Sequence, residues 1–323
     1  MTRELVIRVA AVLIGVFAIG IGGCGKEPPA SEAESDGRLS VYVSIPPQKY
    51  FVERVGGRHV RVGVLLKPGQ SMHTYEPTPR QMVDLSSAKV YFSIGAPFER
   101  QVADKIRQAL RDLKLVDTNE GIALLTTTQP CEYESHAPGR EGEHEHEHEH
   151  AHSELDMHTW MSPRLVKTQA LNICRALVQA DPLHQADYEA NLAAFHADLD
   201  AVDAEIAAAL KPLKGRSFFV LHPAFGYFAE AYGLRQVAVE SAGKQPSAKQ
   251  IEELIEEARR SGVKLIFVQP QFSRRGAETV AQAIGGAVVP LDHLVEDYLG
   301  NLRHVAETIR AALTPQAEPG TAN

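Results

Sequence analysis

Four polar side chains stand where a chain could place metal ligands. They are His73 in Gly69-Gln70-Ser71-Met72-His73-Thr74-Tyr75-Glu76-Pro77 and His158 in Asp156-Met157-His158-Thr159-Trp160-Met161-Ser162-Pro163. The other two are His222 in Leu221-His222-Pro223-Ala224-Phe225 and Asp292 in Pro290-Leu291-Asp292-His293-Leu294. Each follows a predicted strand or opens a loop, and ligands of open α/β sheets gather outside the carboxyl ends of strands. The separations of 85, 64 and 70 residues exclude a compact finger-type zinc motif. They fit a site assembled from two halves of the chain, two groups from each. Three imidazoles and a carboxylate suit a tetrahedral zinc ion. The competing chemistry is hydrolysis by a metal-bound water, which needs a general base. Glu76 and Glu240 are the nominations, but the sequence has no His-Glu-x-x-His helix, no Gly-x-Ser-x-Gly elbow and no phosphate-cradling glycine loop.

The elements that must position these groups alternate. Strands are predicted at 39–45, 60–65, 89–94 and 115–117, with helices from Gln48 to Val55, from Pro79 to Ser87 and from Phe98 to Asp112; Pro46-Pro47 is expected to stop the first strand. After a helical stretch from Pro163 to Gln179, Asp181-Pro182 reads as an N-cap with proline at the first helical position. No proline or glycine interrupts the chain from there to Leu210, which predicts a stiff helix of roughly 43 Å. Alternation resumes with strands at 217–221, 236–239, 263–268 and 287–291 and helices between them, closing with a helix from Tyr298 to Leu313. The fold class expected is α/β: two lobes, each with a mainly parallel sheet flanked by helices, bridged by one long rigid helix, with the metal site in the interlobe cleft. The boundaries expected are 38–162 for the first lobe, 163–212 for the linking region, 213–314 for the second lobe and 315–323 for a disordered tail.

Composition is ordinary for a globular protein of 323 residues, at 44% hydrophobic and 23% charged. The net charge of −8 argues against nucleic acid as a partner, since phosphate binding needs a basic surface. Histidine is the outlier, with 14 residues, seven of them at His136, His144, His146, His148, His150, His152 and His158. The Glu-His alternation within 132–156 has no helical or useful strand period and reads as a solvated loop. His144, His146, His148, His150 and His152 are candidates for auxiliary, low-affinity metal binding, the bland alternative being a solvated linker. At the N-terminus, Arg3 and Arg8 precede and interrupt the approach to an apolar run ending in Ile21-Gly22-Gly23-Cys24. Residues 1–23 read as a lipoprotein signal peptide, Cys24 as the acylated residue, and 24–37 as a flexible tether to a membrane. Cys131 and Cys174 are the remaining cysteines, and an oxidising compartment permits but does not establish a bond between them.

The motif His73-Thr74-Tyr75-Glu76-Pro77-Thr78-Pro79 and those around His158, Asp181-Pro182, His222 and Asp292, with Asp297-Tyr298-Leu299-Gly300-Asn301-Leu302, resemble the metal-binding solute-binding proteins of bacterial zinc and manganese ABC importers, the ZnuA/TroA-like family. The resemblance runs from about residue 38 to 314. It implies two α/β lobes bridged by a rigid helix, a metal held in the cleft at His73, His158, His222 and Asp292, and a histidine-rich acidic loop. It also implies a function: an extracytoplasmic, lipid-anchored monomer that captures Zn²⁺ and delivers it to an ABC transporter permease. Within that resemblance His293 stands where proline is usual, so Asp292, His293 or water remain alternatives for the fourth position. Manganese-type relatives tend to carry a carboxylate at the third position, and the softer His222 favours zinc over Mn²⁺ or iron. A surface adhesin or a zinc-buffering lipoprotein without transport would share the same fold.

Overall fold

The computed structural model describes residues 37–109, 112–126, 155–240 and 247–314. The leader with Cys24, Cys131, the tract from His136 to His152 and the tail beyond residue 314 lie outside the described residues.

The first sheet is built from β1 (Leu39–Val43), β2 (Val60–Val64), β3 (Val90–Ser93) and β4 (Lys114–Asp117) in the order β2-β1-β3-β4, every pair parallel. The helices α1 (Pro46–Gly56), α2 (Pro79–Ser86) and α3 (Glu99–Ala109) connect these strands. The second sheet, β5 (Ser217–Val220), β6 (Arg235–Ala238), β7 (Leu265–Val268) and β8 (Ala287–Pro290), has the same design in the order β6-β5-β7-β8. Its helices are α6 (Gly226–Tyr232), α7 (Ala248–Arg260), α8 (Arg275–Ala283) and the closing α9 (Tyr298–Leu313). Covering both faces of a parallel sheet makes its inner strands continuous apolar runs. Val90, Tyr91 and Phe92 of β3 are accordingly fully buried.

Between the sheets lie α4 (Pro163–Ala180) and α5 (Gln185–Leu210). α5 has 26 residues, about 39 Å at the helical rise. Its buried positions Tyr188, Phe195, Leu199, Val202, Ile206 and Leu210 recur at three-, four- and seven-residue intervals, one stripe of a helix. That stripe packs on α1, α4 and α9, so one hydrophobic core runs from Val41 and Phe51 through α5 to Phe228 and Val305. A smaller cluster around Phe219, Ile266 and Val280 fills the remaining face of the second sheet.

Two helix starts differ from the sequence expectation. Pro46 and Pro47 belong to the first turn of α1, where a missing N–H costs nothing. Pro182–His184 forms a 3₁₀ turn and α5 proper begins at Gln185. The Asp181 side chain takes hydrogen bonds from His184 Nδ1 and Tyr188 Oη, at 2.6 and 2.7 Å, and so serves the helical side chains of the turn that follows. Cys174 is buried on α4. No helix among the described residues is long and apolar enough to cross a membrane.

Candidate metal centre

His73 lies on the loop between β2 and α2. That loop is pinned at Leu65, whose carbonyl accepts from the Tyr75 hydroxyl and from Gln81 Nε2, both at 2.8 Å. Buried Met72 and Tyr75 anchor it while His73 itself stays exposed at one edge. Thr78 caps α2 by accepting from Gln81 N, which fixes where the loop ends.

His158 enters from the segment before α4. Asp156 Oδ1 accepts from His158 N at 2.9 Å and from Nδ1 at 2.7 Å, so one carboxylate oxygen fixes both backbone and ring. The next residue, Thr159, donates to Asn119 Oδ1, and Gln169 Nε2 donates to both, a buried amide-hydroxyl knot below the ring. Two glycines make room for this loop. Gly95 has φ +84°, and a Cβ there would fall 1.8 Å from Met157 Cε. A Cβ on Gly226 would fall 2.7 Å from Asp156 Oδ2.

His222 leaves the carboxyl end of β5, the central strand flanked by β6 and β7. Gln269, just past β7, donates to the His222 carbonyl at 2.7 Å and accepts from its N–H at 3.2 Å. Glu240, just past β6, takes His222 Nδ1 at 2.8 Å. Phe272 stacks on the imidazole at 4.5 Å between centroids and 18°.

These three imidazoles meet. His73, His158 and His222 each offer a ring nitrogen, all within 4.8 Å of one another. His73 Nε2 and His222 Nε2 stand 3.2 Å apart, and His158 Nε2 is buried with no hydrogen-bond partner among the described residues. An ionised carboxylate only accepts, so Asp156 and Glu240 place the proton on Nδ1 of His158 and His222 and leave a lone pair on each Nε2. A carboxylate behind a ligating imidazole is the usual support of a metal-binding histidine. Electrostatics agree. Although His73 keeps one edge exposed, desolvation of the rest of its ring, followed by the neighbouring His222 and His158, lowers its pKa to about 4. Burial outweighs the Glu240 hydrogen bond and lowers that of His222 too. Neutral imidazole is the form that ligates.

Asp292 is not part of that group of three. Its Oδ1 accepts from Gln271 Nε2 and from Leu294 N, both at 2.9 Å, which ties down the loop after β8. Its neighbour His293 faces the imidazoles instead. It is 2% exposed, its ring centroid lies 5.4 Å from that of His158 and 6.3 Å from that of His222, and its Nδ1 is buried without a partner among the described residues. Sequence reasoning did not assign Asp156, Gln269 or Trp160 a role, and it offered Glu240 only as a general base. Glu240 was within reach: carrying the β5–β6 register, Ser217 beside Arg235, five residues on puts His222 beside Glu240. Glu76, the other nominated base, is exposed.

A family model described as ZnuA, zinc-uptake complex component A, periplasmic, matches residues 41–312. The chain belongs to that family. ZnuA family members are the zinc-binding, extracytoplasmic components of ABC-type zinc-uptake systems. The high-affinity zinc uptake system protein ZnuA of Brucella suis is 29% identical over 309 residues, 86% of this chain and 92% of that protein. The zinc-binding protein AdcA of Streptococcus pyogenes (strain MGAS315) is 28% identical over 313 residues, 93% of this chain, which spans only 61% of AdcA. Among solved structures, a zinc-bound ZnuA lacking residues 138–173 of its own numbering is 39% identical, with a TM-score of 0.76 over 87% of this chain and 100% of that one.

Proposed function

We propose that this chain captures Zn²⁺ between its two lobes through His73, His158 and His222 and hands it to the membrane permease of an ABC importer. The observation that carries the reading is the convergence of three ring nitrogens, two of them held as lone-pair donors by Asp156 and Glu240. Imidazole ligands favour a borderline cation over manganese, which prefers oxygen. The site binds rather than hydrolyses. Glu240 is engaged by His222, which argues against its service as a general base.

Residues 38–162 and 213–314 act as the two lobes and 163–212 as the linking region. The chain works as a monomer tethered to the membrane by lipid on Cys24, as the small residues before that cysteine suggest. The Glu-His tract, including His144, His146, His148, His150 and His152, gathers zinc at low affinity and raises its concentration beside the tight site.

The test is a competitive titration of Zn²⁺ and Mn²⁺ against a chromophoric chelator, with intact-mass measurement of bound metal. One tight zinc site, lost in His222→Ala, is expected. Preference for manganese, or a tight site surviving that substitution, overturns the reading.

A further inference from the structure

His293 is left unexplained by a three-histidine site. A fully buried imidazole must leave at least one ring nitrogen without water, and its Nδ1 has no partner among the described residues. That cost is tolerated where the group has a ligand to meet. Its position argues for one. Zinc–nitrogen bonds of about 2.0–2.1 Å in a tetrahedral shell put imidazole centroids about 5 Å apart. The His73–His222 and His158–His222 separations are 4.8 and 5.3 Å. His293 stands 5.4 Å from His158 and 6.3 Å from His222, on the rim of the fourth position.

The backbone of His293 is held there. Trp160 Nε1 donates to its carbonyl at 2.8 Å, and the indole lies 6.0 Å from its ring at 20°. The Tyr298 hydroxyl in turn donates to the Trp160 carbonyl at 2.7 Å. Trp160, from the turn before α4, thus fixes the backbone of the residue and is itself held by Tyr298 of α9. Asp292, the alternative donor, already spends Oδ1 on Gln271 and Leu294 N.

We propose that His293 is the fourth zinc ligand, giving an all-imidazole shell of His73, His158, His222 and His293. This rests on the zinc reading above and deepens it. An all-nitrogen shell widens the preference for zinc over manganese, because it removes the oxygen donor that a harder cation favours.

The experiment is X-ray absorption at the zinc edge on the full chain loaded with one equivalent of Zn²⁺, so that the tight site fills first, beside His293→Gln and Asp292→Asn. Wild type and Asp292→Asn should show four imidazoles, and His293→Gln three with one oxygen. Loss of an outer-shell partner alone weakens metal by about 10–100-fold, so His293→Gln should weaken zinc by at least about tenfold. It should weaken manganese less. Wild type with three imidazoles and one oxygen, or an unchanged imidazole count in His293→Gln, overturns the inference and leaves the three-histidine site standing. Fewer than three imidazoles in wild type overturns both. The wild-type spectrum decides the matter even if a variant fails to fold.

Discussion

The Nε2 atoms of His73 and His222 stand 3.2 Å apart, although 149 residues separate them in the chain. Two ligands of one tetrahedral zinc ion, each about 2.0–2.1 Å from it, lie about 3.3 Å apart. The spacing that a metal requires is therefore already present in the protein. His73 comes from the first sheet's loops and His222 from the end of β5, so the two lobes must hold their relation to keep it. The continuous core along α5 and the Trp160–His293 and Tyr298–Trp160 hydrogen bonds do that. Preorganisation of this kind reduces the ordering cost of binding.

The two carboxylates behind the imidazoles should matter almost as much as ligands. Asp156→Asn and Glu240→Gln keep the shape but replace a charged acceptor with an amide, freeing His158 or His222 to take the other tautomer. Each should weaken zinc by about 10–100-fold while stoichiometry stays at one tight site. Competitive chelator titration reads this directly, and an affinity within about twofold of wild type would show that the pairs serve packing alone.

How much of this was legible in the sequence follows from where the information resides. Strand alternation and the uninterrupted run before Leu210 revealed both sheets and the long helix, because burial on both faces writes itself as apolar runs. His73, His158 and His222 were legible as polar residues just past strands or at loop openings. Asp292 was named on the same logic, and in the structure its Oδ1 is occupied by Gln271 and Leu294 N. Which of two adjacent side chains turns inward depends on the loop's tertiary anchors. For His293 that anchor is Trp160, 133 residues away. The Asp181-Pro182 signal misplaced a helix start by one turn because a 3₁₀ turn satisfies the same cap residues.

Zinc affinity should depend on pH less steeply than three ordinary imidazoles demand. Three ligands with a pKa near 6.5 would each release a proton on binding below that pH, and affinity would fall about a thousandfold per unit. Here burial and neighbouring imidazoles lower His73 to about 4 and lower His222 as well. His73 then stays unprotonated between pH 6 and 5, and His222 takes up a proton less readily than an ordinary imidazole. The expected slope there is well below a thousandfold per pH unit, steepening as pH falls towards about 4. Affinity measured by competition at half-unit steps checks it, and a slope near three decades per unit contradicts the protonation states described.

Glu99 should make stability fall as pH rises. Burial raises its pKa to about 7, against the lowering effect of Ser44 Oγ and the Ile94 and Gly95 amides that it accepts from. A folded-state pKa above the unfolded value means the folded chain holds the proton more tightly. The stabilisation is full below about pH 4.5 and lost as pH passes through about 7. The shift is worth on the order of 3 kcal/mol. His73 and His222, whose pKa values burial lowers, titrate in the opposite sense, so the comparison must be with Glu99→Gln, in which their contribution cancels. Denaturant unfolding of both metal-free proteins from pH 4.5 to 8 should show wild type losing about 3 kcal/mol relative to the variant. Parallel curves would mean Glu99 is ionised throughout.

The Glu-His tract and the three-histidine centre should separate cleanly under mutation. Removing residues 136–152 deletes seventeen residues of low apolar content and none of the groups that meet in the centre, so one tight zinc site of unchanged affinity should remain. What should change is acquisition: at limiting zinc the deleted protein should load more slowly, because the tract no longer concentrates ions beside the site. His222→Ala should do the reverse, removing a ligand, orphaning Glu240 and weakening the tight site by well over about a hundredfold. Any single substitution among His144, His146, His148, His150 and His152 should leave it within about twofold, since the repeated imidazoles of the tract replace one another. Stopped-flow loading beside equilibrium titration distinguishes the two effects. Loss of the tight site on deleting the tract would move the metal centre into the tract and refute the assignment to His73, His158 and His222.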